Sequence, residues 1–96
     1  MDIRDLLKEK REEIIRIAAR HGARNVRVFG SVARGEEGPE SDVDLMVQLD
    51  PGVTLLGHSA LVRDLEALLG HKVQVVSERG LRPRIKDRVL REAVPV

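Results

Sequence analysis

Apolar positions Ile3, Leu6, Leu7, Ile14, Ile17 and Ala18 recur at helical spacing, with lysine, arginine and glutamate between them. Gly22 stands where such a helix would stop, so the pattern predicts an amphipathic helix over Ile3–Ala19. The period then changes. Val26-Arg27-Val28-Phe29 reads as a short strand ending at a Gly-Ser turn, and the segment on to Glu40 reads as loop with one helical turn. From Asp42 the residues alternate, with Val43, Leu45, Val47 and Leu49 facing one way and Asp42, Asp44, Met46 and Gln48 the other. Asp50-Pro51-Gly52 predicts a turn. A second helix follows from Thr54 to Leu69, with Leu61, Leu65 and Leu68 on its apolar stripe and Gly70 at its C-terminal cap. Val73-Gln74-Val75-Val76 is the third strand. Pro83 suits the first turn of a last helix whose inner face is Ile85, Val89, Leu90 and Ala93. The order α-β-(α)-β-α-β-α gives an α/β (α+β) fold class, a small mixed β-sheet flanked by helices.

Composition narrows this picture. A chain of 96 residues suits a single domain, residues 1–96, around one core. With 42% apolar and 34% charged residues it belongs to the soluble globular class, and no apolar run reaches membrane-spanning length. The absence of cysteine and of a signal-peptide pattern at the N-terminus points to the cytoplasm. A net charge of +1 supplies no bulk attraction to nucleic acid or membrane. Arg79, Arg82, Arg84, Lys86, Arg88 and Arg91 do crowd the last fifth of the chain, but a row of arginine on a surface helix reads as a solvated face. The single aromatic residue, Phe29, also argues against a base-stacking platform, so nucleic acid is not an expected partner. His21, His58 and His71 have no metal-site spacing and read as surface residues.

The candidate chemistry lies between the first two strands. Asp42 and Asp44 are two residues apart on a strand, so their side chains leave one face with Cα atoms roughly 7 Å apart. Two carboxylates aimed at one volume repel unless a cation sits between them, and Mg²⁺ prefers a few carboxylates together with phosphate oxygens and water. An Asp-x-Asp alone describes an exposed surface pair equally well. Gly30 and Ser31, however, close the preceding strand where a chain reversal offers backbone N–H groups and a hydroxyl to a phosphate. Arg34-Gly35, an acidic loop and Ser41-Asp42-Val43-Asp44 follow in order. Arg34 either clamps phosphate or braces the acidic loop through Glu36 or Glu37, and Ser41 either caps the strand entry or orients Asp42.

The run Gly30-Ser31-Val32-Ala33-Arg34-Gly35, a short loop and Ser41-Asp42-Val43-Asp44 resembles the minimal nucleotidyltransferase family, a small branch of the DNA polymerase β-like superfamily. The resemblance extends over nearly the whole chain, including the Glu92-Ala93-Val94-Pro95 ending. It implies the nucleotidyltransferase fold, with Mg²⁺ as cofactor. It further implies transfer of a nucleoside monophosphate, AMP from ATP, to an acceptor hydroxyl with release of pyrophosphate. Gly30, Ser31 and Arg34 are thereby expected to hold the nucleotide, and Asp42 and Asp44 to be the catalytic metal ligands. The resemblance also implies a partner protein of the HEPN class, helical RNA-cleaving toxins, with this chain as the antitoxin and a toxin hydroxyl as acceptor. Whether the chain also self-associates stays open.

One position departs from the pattern. The family's third carboxylate falls on the third strand, where this chain carries Gln74. An amide offers a carbonyl oxygen but neither a negative charge nor a place for the nucleophile's proton. Glu78 lies downstream, yet four residues of strand separate the two Cα atoms by about 13 Å, so a rescue would need the strand to bend back. Three readings follow: a slow or altered enzyme, an enzyme completed by a partner's carboxylate, or a nucleotide-binding module that masks its partner by contact.

Overall fold

A computed structural model describes residues 2–36, 38 and 41–96. The first apolar stripe folds as two helices, α1 (Ile3–Glu9) and α2 (Arg11–Arg20), rather than the single helix expected over Ile3–Ala19. Lys10 departs from helical geometry at φ −96°, ψ 9°, yet its N–H still donates to Leu6 and its carbonyl still accepts from Ile14. The chain is kinked rather than interrupted. The stretch Lys8–Glu13 has no apolar side chain to anchor it, and the kink lets the pair Ile3 and Leu7 and the pair Ile14 and Ala18 reach one core. Asp2 caps α1 by accepting from the Asp5 N–H.

The first strand, β1, covers Ala23–Phe29 and is longer than the expected run Val26–Phe29. Asn25 sits at φ +53° inside a bulge between Arg24 and Arg27, which explains why the alternation fails there. The Gly-Ser pair, expected as a turn, opens a short helix α3 (Gly30–Arg34), the one helical turn expected in the segment on to Glu40. The next strand, β2 (Val43–Leu49), pairs antiparallel with β1, and Asp42 stands just ahead of it. A helix α4 (Leu55–Leu69) then returns the chain to β3 (Val73–Ser77), which lies parallel to β2, as a strand-helix-strand unit requires. Gly70 caps α4 as expected, at φ +68°, and Thr54, expected as the first helical residue, is instead its N-cap. Helix α5 (Pro83–Glu92) begins at Pro83, and Val94–Pro95 form β4, an unpredicted strand on β1. The sheet order is β3-β2-β1-β4.

One face of this sheet, with Val28, Val43, Leu45, Val47, Val73 and Val75, packs against α1, α2 and α4. The stripe of α4 is Leu61, Leu65 and Leu69; Leu68 is only partly buried, a shift of one residue on the same side of the helix. The other face carries the polar positions, but Met46 on it is fully buried and Val89 of α5 is buried too, both outside the main cluster. Of the inner face expected for α5, only Val89 is buried, and Ile85 is 41% exposed. Among the described residues no helix is long and apolar enough to cross a membrane. Two histidines expected at the surface are structural pins instead. His21 pairs with Asp64 at 2.7 Å, joining α2 to α4, and His58 Nε2 lies 2.8 Å from the Val75 carbonyl, joining α4 to β3. Both contacts cross 17 or more positions of sequence, beyond the reach of spacing arguments.

Candidate active site

Register brings the candidate residues together at one end of the sheet. Phe29 is the β-partner of Asp44 on one side and Gln74 is its partner on the other. Paired residues share a face, so Asp44 and Gln74 project side by side from strands roughly 4.8 Å apart. The position that the family resemblance assigns to a third carboxylate is therefore the β-partner of Asp44, and it holds an amide. Asp44 is half-buried; burial first, and the charge of Asp42 second, push its carboxyl above the ordinary carboxylate range, while Arg34 opposes them. That repulsion is the signature of two carboxylates facing a shared volume.

Gly30 follows Phe29 directly and adopts φ +74°, a conformation in which side chains are strained. A Cβ at this position would overlap the Asp44 carboxylate. The close approach that requires glycine is thus made by Asp44 within the chain itself. Gly35, also at φ +74°, ends α3. Ser31 lies in the first turn of α3 and is half-buried, with no hydrogen bond from its hydroxyl to a described residue.

Arg34, at the far end of α3, braces the acidic loop: its Nε donates to Glu36 at 3.0 Å. Glu37, the other brace considered, lies outside the described residues, as do Pro39 and Glu40 of the expected loop. Arg34 Nη1 also donates to Glu92 of α5 at 3.0 Å, and the Gly30 N–H donates to the other oxygen of Glu92 at 3.3 Å. Burial alone would raise the Glu92 carboxyl, but these two donors outweigh it and hold it below the ordinary range. The Glu92-Ala93-Val94-Pro95 ending enters the family resemblance, but the partners of Glu92 are 58 and 62 positions away and no spacing argument reaches them. Ser41 Oγ accepts from the Gly38 N–H at 2.7 Å, which fits the structural role at the strand entry.

Glu78 does not replace the missing carboxylate. It accepts from Gln48 at 2.9 Å and from Arg27 at 3.0 Å, fixed at the far end of β3 from Asp44. The hydrogen bond from Gln48, and then that from Arg27, lower its carboxyl below the usual value of 4.5. A carboxyl lowered by folding contributes stability above its unfolded value and loses it as pH falls through the folded one. Glu78→Gln should therefore lower the melting temperature at pH 7, with the gap to the parent closing as the pH is brought below about 4. Parallel melting curves across that range would refute the assignment.

The donor set fits a magnesium ion shared with a substrate. Among the described residues no three His, Cys, Asp or Glu side chains form a metal site, which leaves Asp42 and Asp44 as a pair of hard oxygen donors. Magnesium is commonly held by one or two carboxylates with phosphate oxygens and water completing its shell.

The chain belongs to the nucleotidyltransferase domain family, whose model matches residues 4–96. The protein adenylyltransferase MntA of Thermococcus cleftensis is 39% identical over 95 residues, covering 99% of this chain and 93% of that protein. A solved structure assigned as a minimal nucleotidyltransferase superimposes with a TM-score of 0.88 at 54% identity, over 100% of this chain and 97% of the other. A crystal structure of a toxin-antitoxin with AMP-PNP shares the fold, with a TM-score of 0.76 at 20% identity over 88% of this chain and 69% of that one.

Proposed function

We propose that this chain is a Mg²⁺-dependent protein adenylyltransferase that moves AMP from ATP to a hydroxyl of a partner protein, and that it serves as the antitoxin of a HEPN-type toxin. The observation that carries the reading is the placement of Gly30 against Asp44, with Asp42 beside it. The kinship with the adenylyltransferase of Thermococcus cleftensis, spanning nearly both chains, favours protein as the acceptor. The likeness to a toxin-antitoxin fold supports a toxin as that protein.

In this reading Asp42 and Asp44 would hold magnesium, whose charge would offset that of the phosphate oxygens. Gly30 and Ser31 present donors to the triphosphate, and Arg34 stands at the end of the same short helix. The acceptor oxygen bonds to the α-phosphorus as the bond to the β-phosphate oxygen breaks and pyrophosphate leaves. Gln74 offers its carbonyl oxygen as a hydrogen-bond acceptor to the incoming hydroxyl, whose proton goes to solvent because the amide does not take it. Turnover is slow on that account.

The test combines the chain, Mg²⁺ and its HEPN partner with ATP labelled at either the α- or the γ-phosphate. Label on the partner from α-labelled ATP alone is expected, on a tyrosine. No transfer from either, or transfer from the γ-position, sinks the proposal. The second reading, a module that masks its partner by contact, draws on Gln74 and on the commitment of Glu78 to Arg27 and Gln48. It requires that the partner be neutralised without ATP.

A further inference from the structure

We infer that Glu92 is a carboxylate latch on the phosphate-binding donors, which ATP must displace to bind. The inference rests on the nucleotide reading above and adds a competitor that belongs to the chain itself. Three contacts carry it. Glu92 takes the Gly30 N–H at 3.3 Å with one oxygen and Arg34 Nη1 at 3.0 Å with the other, while Arg34 Nε is engaged by Glu36 at 3.0 Å. The Gly30 amide has one hydrogen, and the carboxylate has it. A phosphate that needs the Gly30 donor therefore has to replace Glu92 rather than join it, whereas Arg34 keeps N–H groups beyond the two engaged. Two anions on one pair of donors would also repel.

The environment of Glu92 favours an anion. Burial, with the side chain only 20% exposed, opposes its charged form, but Arg34, the Gly30 N–H and Arg88 together outweigh it and hold the carboxyl below the ordinary range. These donors give a carboxylate the kind of hydrogen bonding that phosphate oxygens accept, so in the nucleotide-free protein Glu92 keeps Gly30 and Arg34 ordered and occupied. The latch lowers nucleotide affinity in exchange for a preformed loop. It also links nucleotide binding to α5, since Glu92 is the last residue of that helix.

Calorimetric titration of the full chain and of Glu92→Gln with MgATP, and separately with magnesium pyrophosphate, tests the latch. The glutamine keeps the size of the side chain and removes the charge. Affinity for both ligands should rise about tenfold or more in the variant. Unchanged or weaker binding by Glu92→Gln, with the parent binding normally, overturns the latch and makes Glu92 a support for the loop. No binding of MgATP by either protein overturns the nucleotide reading and the latch together. In the unaltered chain, the Glu92 carboxyl ¹³C resonance should move with MgATP saturation toward that of a solvated glutamate. A resonance that stays in place as ATP binds overturns the latch independently of any variant.

Discussion

Asp42→Asn combined with Asp44→Asn should lower AMP transfer by roughly 10³-fold or more, while the protein itself becomes harder to melt. The first effect follows from charge: in the proposed reaction the pair would supply the negative oxygens for magnesium, and losing about 4 kcal/mol of transition-state stabilisation is worth roughly 10³-fold. The second follows from the cost of holding the pair. Asp44 is raised above the carboxylate range by burial and then by Asp42, so its ionised form opposes folding at neutral pH. Neutral amides relieve that opposition, and a carboxyl raised by folding adds stability as pH falls through its folded value. In metal-free buffer at pH 7 the double variant should melt a few degrees above the parent, with the difference shrinking on acidification. Added MgATP should stabilise the parent alone. A variant that still labels its partner at the parent's rate would remove Asp42 and Asp44 from the chemistry.

Gln74→Asp should work in the opposite direction, raising turnover by about 10²–10⁴-fold, the usual contribution of a positioned proton acceptor. Register singles out this position: Gln74 pairs with Asp44 on the same face, so the new carboxylate joins the existing two. Glu78, held by Gln48 and Arg27, is not free to compete for the role. The gain should appear in kcat with little change in the KM for ATP, because the proposed mechanism sets this residue toward the acceptor rather than the triphosphate. It should cost stability in metal-free buffer, since a third carboxylate adds to the repulsion that already raises Asp44. Steady-state assays of parent and variant on the same partner decide the matter. Equal kcat values would mean that the absent carboxylate is not what limits this protein.

The elements that local pattern dictates are legible in the amino-acid order alone. Alternation around Leu45 and Val47 identifies β2, the stripe at Leu61 and Leu65 identifies α4, and Pro83 and Gly70 mark helix ends, because each signal is contained within a few residues. The same holds for the Gly-Ser turn and the Asp-x-Asp pair, whose spacing is short enough to define a shared face. Element bounds are less legible where a kink at Lys10 or a bulge at Asn25 bends the chain, since both answer to packing against the core.

Local order along the chain therefore suffices for most element types and for the two aspartates, while the position of the expected third carboxylate is known only from the family resemblance. Which groups those residues meet is a property of the folded chain. The pairing of Glu78 with Arg27, of His21 with Asp64 and of Glu92 with Gly30 and Arg34 joins positions 43 to 62 apart, and no periodicity encodes such meetings. They arise because β2, α4 and β3 run out and back across one sheet, which returns α5 to the end where β1 turns at Gly30.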